Sequence, residues 1–594
     1  MSIVTPSRAG PDSEAVAATV ERQRELLDRA VRAIHERTFF SAFPESPSPR
    51  VYGETAAEDG RRAFEALLHR RFDLGQPGTV AWVATERSPW GPQLGVEYPV
   101  PDVDQLLPAL RAAIPAWRDA GPPARAALCA QMLARINAAS FEIANAVMHT
   151  AGQPFVMAFQ AGGPHAQDRA LEAVAYAYEE QAHYPAEAVW EKPQGKRSPI
   201  RMAKTFTIVP RGVDLVIGCT TFPTWNSYPG IFAGLATGNA VLVKPHPRAV
   251  LPLAITVRIV RAVLAEHGFD QDLVCLAAEP GPDRGGGRLA ADLAVRPEIG
   301  IVDFTGSSAF GDWLEAHARQ AQVYTEKAGV NAVLIDSTAD YPGMLANLAF
   351  SLSLYSGQMC TTPQNLLVPR GGIDTDRGHK TPDEVAEDLG HAIDALLGDD
   401  ARAVELLGAL VNDDVLGRLE SAPSMGRVVV ASRAVSSPVY PDARVRTPLI
   451  VRVDAPEDAP DDTGPEGGPA YAQECFGPVA FLVTTASTAG SIEVFRRTVG
   501  ARGAITAAVY STDAEVIKAT REAALDVGVA LSENLTEAVY VNQSAAFSDF
   551  HATGANAAAN ASLTDGNFVS GRFRVIQSRR HLPTPTAGRV SPAE

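Results

Sequence analysis

From Phe206 to about Val541, short apolar runs alternate with stretches of helical spacing, and this alternation constrains the chain more than any other feature. Phe206–Val209, Val213–Gly218, Ala240–Lys244, Leu273–Ala277 and the run from Ile299 to Phe304 are too short for core helices and are bounded by Gly, Pro or polar residues. Continuous apolar runs of this length are what parallel strands covered by helices on both faces require. Helices are expected over Tyr228–Thr237 and Pro252–Gly268, and after Ser307. A second series starts near Asn331, with strands at Asn365–Arg370, Arg427–Ala431, Leu449–Val453, Phe476–Thr485 and Gly503–Ser511, and a helical stretch over Pro382–Leu410. The fold class is therefore α/β, and 594 residues exceed what one core organises, so two or more domains are expected.

The flanks read differently. Residues 14–40 have helical spacing with Val20, Leu26, Leu27, Val31 and Ile34 on one face, and a second helix is expected over Gly60–His69. Gly75–Asp104 is rich in Pro and Gly, as at a boundary or wrapped arm. Val103 to about Glu180 reads as successive helices. The first hundred residues carry no motif and read as an accessory packing segment. Residues 181–206 suggest a polar hairpin, Asp454–Gly468 a surface loop, and Arg572–Arg580 a basic strand suited to edge or subunit pairing.

A net charge of −17 argues against a nucleic-acid partner, which needs a positive stripe. No apolar run approaches the ~18 residues of a membrane span and no basic-then-apolar leader opens the chain, so a cytoplasmic location is expected. The cysteines Cys129, Cys219, Cys275, Cys360 and Cys475 are scattered and odd in number, which suits a reducing compartment and gives no sequence-readable metal site.

Chemistry gathers in a few short stretches. Cys360, in Gly357-Gln358-Met359-Cys360, offers a thiol nucleophile; Glu326 offers a base for water, and Asn226 an amide donor for an oxyanion beside the Cys360 backbone N–H. Gly306 and Ser307 close a strand and open a helix, where backbone amides can approach a pyrophosphate. Lys244 ends a strand and can reach a ribose hydroxyl. Glu474 and Phe476 supply a carboxylate and a ring suited to a nicotinamide ribose and its base, with Trp225 beside Asn226. Taken singly, each has a plain alternative: a turn asparagine, a solvated lysine or glutamate, a buried thiol, a capping serine.

Their order is less ordinary. Trp225-Asn226, Lys244 at a strand end, Phe304-Thr305-Gly306-Ser307, Glu326, Gly-Gln-Met-Cys360 and Glu474-Cys475-Phe476-Gly477-Pro478-Val479 together resemble the aldehyde dehydrogenase superfamily over roughly residues 100–580. That resemblance implies a Rossmann-like cofactor domain (101–184 and 207–327), an α/β catalytic domain (328–545) and a small bridging and oligomerisation sheet (185–206 and 546–594) behind a helical extension (1–100). It implies that Cys360 attacks an aldehyde, Asn226 steadies the oxyanion, and Glu326 activates water. It further implies a homodimer or homotetramer. Within the superfamily the chain is most similar to the phenylacetic acid degradation subgroup PaaN, through Tyr355-Ser356-Gly357-Gln358-Met359-Cys360-Thr361-Thr362, Glu326-Lys327-Ala328-Gly329 and the stretch from Asn542 to Asn567. A CoA-linked semialdehyde is the implied substrate.

Three departures stand out. Lys327-Ala328 replaces the usual Leu-Gly after the base. Pro247 stands where a carboxylate normally meets the adenosine ribose, and with Arg248 or His246 able to attract a 2′-phosphate the expectation is NADP rather than NAD. The usual Phe-Gly-Gly near the C-terminus is absent. Two rivals remain, a CoA-acylating enzyme and a catalytically silent scaffold.

Overall fold

The computed structural model describes residues 11–280, 287–327, 329–455, 469–551 and 565–583. The expected loop over Asp454–Gly468 lies largely outside the described residues, as do Ala328 and much of the stretch from Asn542 to Asn567.

The chain opens with α1 (Ser13–Glu36), capped by Asp12, whose carboxylate accepts from the amides of Glu14 and Ala15. Leu27, Ala30 and Ile34 bury one face of α1 against α3 (Gly121–Ala138) and α5 (Pro164–Ala182), which with α2 (Val103–Asp119) and α4 (Ser140–Ala151) make a helical layer. Two expected long helices are broken. One divides at Ala139 into α3 and α4, and the stretch after Pro382 divides at Gly398-Asp399 into Pro382–Leu397 and Asp400–Leu407. Asp399 caps the second piece by accepting from the Arg402 amide, a local bond that competes with helix continuation.

After α5 the hairpin β1 (Glu187–Gln194) and β2 (Arg197–Pro210) leaves the body. Then come β3 (Val213–Ile217), α6 (Pro223–Ala236), β4 (Ala240–Lys244), α7 (Leu251–Glu266), β5 (Val274–Leu276), β6 (Ile299–Gly306), α8 (Ser308–His317) and β7 (Gln322–Lys327). These five strands form an all-parallel sheet in the order β5-β4-β3-β6-β7. The direction of winding reverses between β3 and β6. A crevice therefore opens at their carboxyl ends, the place where open α/β sheets bind ligands.

A second sheet is built from β8 (Ala332–Ile335), β9 (Asn365–Pro369), β10 (Arg427–Val430), β11 (Leu449–Asp454), β12 (Val479–Thr485), β13 (Thr506–Tyr510) and β14 (Ala530–Glu533). Its order is β10-β11-β12-β9-β8-β13-β14, parallel except for the edge strand β10. The tail strand β15 (Phe573–Leu582) pairs antiparallel with β2 over ten residues and completes a three-stranded sheet, β15-β2-β1.

The segment before β1 is tied into the first sheet. The Gln76 side chain donates to the Leu276 carbonyl at 2.7 Å and accepts from the Leu276 amide at 2.9 Å, acting as one residue of strand along the edge of β5. Glu86 accepts from the amides of Val250 and Leu251 and from the Tyr98 hydroxyl, which places a carboxylate at the start of α7. Its burial raises its pKa to about 7 despite those hydrogen bonds. Among the described residues no helix is long and apolar enough to cross a membrane.

Candidate active site

The strand register of the first sheet brings distant motifs into one row. Lys244 of β4 stands opposite Ile217 of β3, Ile217 opposite Phe304 of β6, and Phe304 opposite Thr325 of β7. One residue further, Thr305 faces Glu326. Ser307 caps α8 by accepting from the Phe310 amide at 3.4 Å, so the Gly306-Ser307 turn and the base lie on adjacent strand ends. Neighbouring residues of a strand point to opposite faces, and Lys327 accordingly turns from Glu326 to pair with Asp312 at 2.9 Å and Glu315 at 2.8 Å on α8. The unusual lysine holds a helix and does not face the thiol.

Cys360 follows α9 (Tyr341–Ser353) through a turn in which three successive residues have positive φ: Tyr355 at 54°, Ser356 at 49° and Gly357 at 65°. Such a run is unfavourable for the two non-glycine residues and persists only where its surroundings hold it. The Tyr355 hydroxyl donates to the Ala151 carbonyl, and the Ser356 hydroxyl donates to the carbonyls of Leu407 (3.1 Å) and Arg446 (3.0 Å). Gln358 donates to the carbonyls of Tyr355 and Ala409 and accepts from the Val411 amide at 2.8 Å. A Cβ on Gly357 would lie 2.4 Å from the Gly477 carbonyl oxygen, so this turn also locks against the Phe476-Gly477-Pro478 segment. Beyond the thiol, the Asn331 amide donates to the carbonyls of Cys360 (2.8 Å) and Thr362 (2.9 Å), while its oxygen accepts from the amides of Ile505 and Thr506.

The thiol meets the groups expected to join it. Asn226, on the first turn of α6 rather than in an open loop, donates to Glu326 Oε2 at 2.7 Å. Burial, followed by the adjacent Glu326 carboxylate, pushes the Cys360 thiol well above its ordinary pKa, and Cys219 and Glu474 add to the effect. Cys219 lies against Asn226 with Sγ 3.6 Å from Oδ1, and burial pushes its own thiol up to about 11.

Two residues of the site are not among those singled out in the sequence. His551 is 6% exposed, with Nε2 3.8 Å from Cys360 Sγ and 3.6 Å from Glu326 Oε1, and Nδ1 3.0 Å from Ser544 Oγ. Trp225 packs edge-on against the His551 ring at 5.6 Å and lies under Arg169, so it walls the thiol. The second is Glu279, past the end of β5, which forms a buried ion pair with Lys244. Glu279 also accepts from the amides of Gly287 (2.8 Å) and Leu289 (3.1 Å). Burial opposes its ionisation, but Lys244 and these amides outweigh that and hold the carboxyl below its usual range. The expectation that Lys244 lacks a neighbouring acid is thus corrected: Pro247 removes the local carboxylate and Glu279 brings one from the next strand. Arg248 is exposed, whereas burial, then Lys244 and Arg248, push His246 down to about 3, leaving it uncharged at neutral pH. Phe476 packs beside Leu410, Val411 and Val415, its carbonyl accepts from Arg418 at 2.8 Å, and Glu474 is exposed.

Residues 97–547 match the aldehyde dehydrogenase family, three quarters of the chain. The chain belongs to the aldehyde dehydrogenase family. Its members are oxidoreductases acting on aldehydes, and the fold is theirs. A crystal structure of an NAD-dependent aldehyde dehydrogenase from Burkholderia multivorans shares 55% identity, covering 96% of this chain and 99% of that one, with a TM-score of 0.91. N-succinylglutamate 5-semialdehyde dehydrogenase from Ectopseudomonas mendocina is 26% identical over 66% of this chain and 73% of its own length. The match to an aldehyde dehydrogenase family 7 member A1 homolog of Caenorhabditis elegans is 25% identical and spans 46% of this chain and about half, 48%, of that relative. The 1-pyrroline-5-carboxylate dehydrogenase of Thermus with bound NAD, at 19% identity over 92% of this chain and 99% of that one and a TM-score of 0.69, shares the fold.

Proposed function

We propose that the chain oxidises an aldehyde to a carboxylic acid through a thioester on Cys360, with Glu326 activating the water that releases it. The observation carrying this reading is the meeting of Cys360, Glu326 and Asn226 beside the carboxyl ends of a parallel sheet with a switch in winding. The crevice between β3 and β6, the α8 N-terminus behind Ser307, and Lys244 with Glu279 fit a dinucleotide, which when bound supplies the hydride acceptor. Gly306 and Ser307 would hold its phosphates, and Phe476 and Glu474 its nicotinamide end. The Asn226 amide carries two hydrogens; with one on Glu326, the other serves the oxyanion together with the Cys360 N–H.

The nucleotide preference turns on Glu279. An anion beside Lys244 repels a 2′-phosphate, and uncharged His246 offers no attraction, so NAD is favoured over NADP. The substrate we assign is an open-chain, CoA-linked semialdehyde of phenylacetate-type ring degradation, on the strength of the PaaN-like stretches around Cys360 and Glu326. Water rather than CoA discharges the thioester, because thiolysis has no need of the Glu326 base. Exposed Val189, Ile200 and Ile576 on the β15-β2-β1 sheet support pairing with a second copy.

The test is reduced-nucleotide formation from free and CoA-linked semialdehydes with NAD and with NADP, using the wild type and Glu326→Gln. The wild type turns over steadily with the higher kcat/KM for NAD. Glu326→Gln gives one equivalent of reduced nucleotide and then stalls with an acyl group on Cys360, detected by mass spectrometry. Undiminished steady hydrolysis in Glu326→Gln contradicts the base assignment, and a higher kcat/KM for NADP contradicts the role of Glu279.

A further inference from the structure

The position of His551 asks for a function that the acyl-transfer scheme leaves unfilled. A thiol attacks a carbonyl as thiolate, yet Cys360 is half-buried beside the Glu326 carboxylate, and both conditions oppose ionisation. Were Glu326 to take the thiol proton, it would have to give that proton up again before it could activate water. Among the described residues, His551 is the other base placed against the sulfur, with Nε2 3.8 Å from Sγ. An imidazole nitrogen can both accept and return a proton as a general base and acid.

The ring is held on every side. Ser544 Oγ lies 3.0 Å from Nδ1, Trp225 meets the ring edge-on, and Glu326 Oε1 is 3.6 Å from Nε2. The segment carrying it is anchored to the opposite end of the chain: Phe547 is fully buried and packs edge-on against Phe40 at 4.8 Å, and the Arg37 guanidinium stacks over Phe550 at 3.9 Å. His551 lies beyond residue 547, where the match to the aldehyde dehydrogenase family ends.

We propose that His551 is a catalytic residue of this chain: its Nε2 takes the proton of the Cys360 thiol as the sulfur attacks the aldehyde. The proposal rests on the reading of Cys360 as nucleophile. The S–H bond breaks, its proton passes to Nε2, and the sulfur electron pair forms the C–S bond. The carbonyl electrons move to the oxygen held by Asn226. Collapse of that alkoxide leaves the thioester; a nicotinamide held in the crevice would supply the acceptor for the departing hydride. Glu326 then takes a proton from water as the oxygen attacks and passes it to solvent, the C–S bond breaks to release the acid, and the departing sulfur recovers the proton from the His551 imidazolium. With the Nδ1 proton donated to Ser544, the Nε2 lone pair faces the thiol; the imidazolium formed next lies between the thiolate and Glu326, which stabilise it.

The test reads the sulfur without aldehyde or nucleotide. The rate of Cys360 alkylation by iodoacetamide is followed from pH 6 to 10 by peptide mass spectrometry, with Cys360→Ala giving the background from Cys219. The charged and titratable groups facing His551 among the described residues are Cys360, Glu326 and, across Trp225, Arg169. The wild type is expected to alkylate readily at pH 7. His551→Asn is expected to react at least tenfold more slowly there, to recover as the pH rises above 9, and to be partly rescued by added imidazole. NADH binding and the thermal midpoint verify that the variant is folded. An unchanged rate and pH profile in folded His551→Asn overturns the proposal. If that variant does not fold, Ser544→Ala, which leaves the imidazole but removes its Nδ1 partner, is expected to slow alkylation two- to fivefold at pH 7, and an unchanged profile there overturns it equally. Loss of alkylation in His551→Asn combined with full aldehyde turnover by Cys360→Ala would instead overturn the nucleophile reading, so the two failures are distinguishable.

Discussion

Two clusters of buried polar groups involve the strands of the first sheet, and they are built on opposite plans. Around Arg572 the donors are engaged at close range: Nη1 donates to Asp214 at 2.8 Å and to Asp303 at 2.7 Å, Nη2 to Asp303 at 2.6 Å, and Nε to the Phe568 carbonyl at 3.0 Å. The guanidinium is sandwiched between the Tyr324 and Phe568 rings. Gly230 and Gly234 on α6 leave room for the two aspartates, since a Cβ would lie 2.8 Å from the Asp303 carboxyl carbon and 2.5 Å from Asp214 Oδ2. Burial, then the negative charge of Asp303, holds Asp214 well above the usual carboxyl range. Around Cys360 one contact is equally short, Asn226 Nδ2 to Glu326 Oε2 at 2.7 Å, but the thiol stands 3.8 Å from His551 Nε2, which is 3.6 Å from Glu326 Oε1. The short contacts around Arg572 fix two strands and a tail; the longer ones around the thiol suit proton transfer.

The sharpest way to break this contrast is to remove one member of each. Arg572→Met leaves two buried aspartates without their cation and is expected to lower stability by about 3–5 kcal/mol. Cys360→Ala is expected to abolish aldehyde turnover while moving stability by no more than about 1 kcal/mol. Denaturant melts and steady-state rates on both variants check the pair, and comparable destabilisation by Cys360→Ala would erase the distinction. Asn331 belongs to the rigid side of the site, since its four hydrogen bonds fix the backbone and leave the thiol alone. Asn331→Ala is expected to lose about 2–3 kcal/mol and to lower kcat more than it raises KM, as the sulfur drifts from its position. A KM effect alone would place Asn331 in substrate binding.

Glu86 lies between the extremes, a buried carboxyl with three donors and, among the described residues, no cation partner. Its native pKa of about 7 exceeds the ordinary carboxyl value, so the folded state binds more protons than the unfolded state between about pH 4.5 and 7. Its contribution is fully present below that window and is lost as the pH rises through it. Relative to Glu86→Gln, wild-type stability is therefore expected to decline by about 2 kcal/mol from pH 4.5 to 7. Parallel stability curves for the two proteins would show that Glu86 stays ionised throughout.

Strands of both parallel sheets were legible because fully buried strands write continuous apolar runs, as Ala240–Lys244 and Val479–Thr485 do. Cys360, Glu326 and Asn226 were legible because each sits in a local motif. Glu279 and His551 were not, since each reaches the site through contacts between remote segments and neither stands in a pattern of its own. Reading Pro247 alone gave the wrong charge beside Lys244 for the same reason. The helix breaks at Ala139 and Gly398 depend on one or two hydrogen bonds, too small a signal against the apolar periodicity running through them.

Phe40 and Arg37 brace the segment of His551, and the same tail continues into Arg572. A ribosome making this chain releases the thiol nearly two hundred residues before the imidazole that faces it. Until that last stretch emerges and docks against Arg37 and Phe40, the nascent protein lacks the imidazole proposed to serve its thiol.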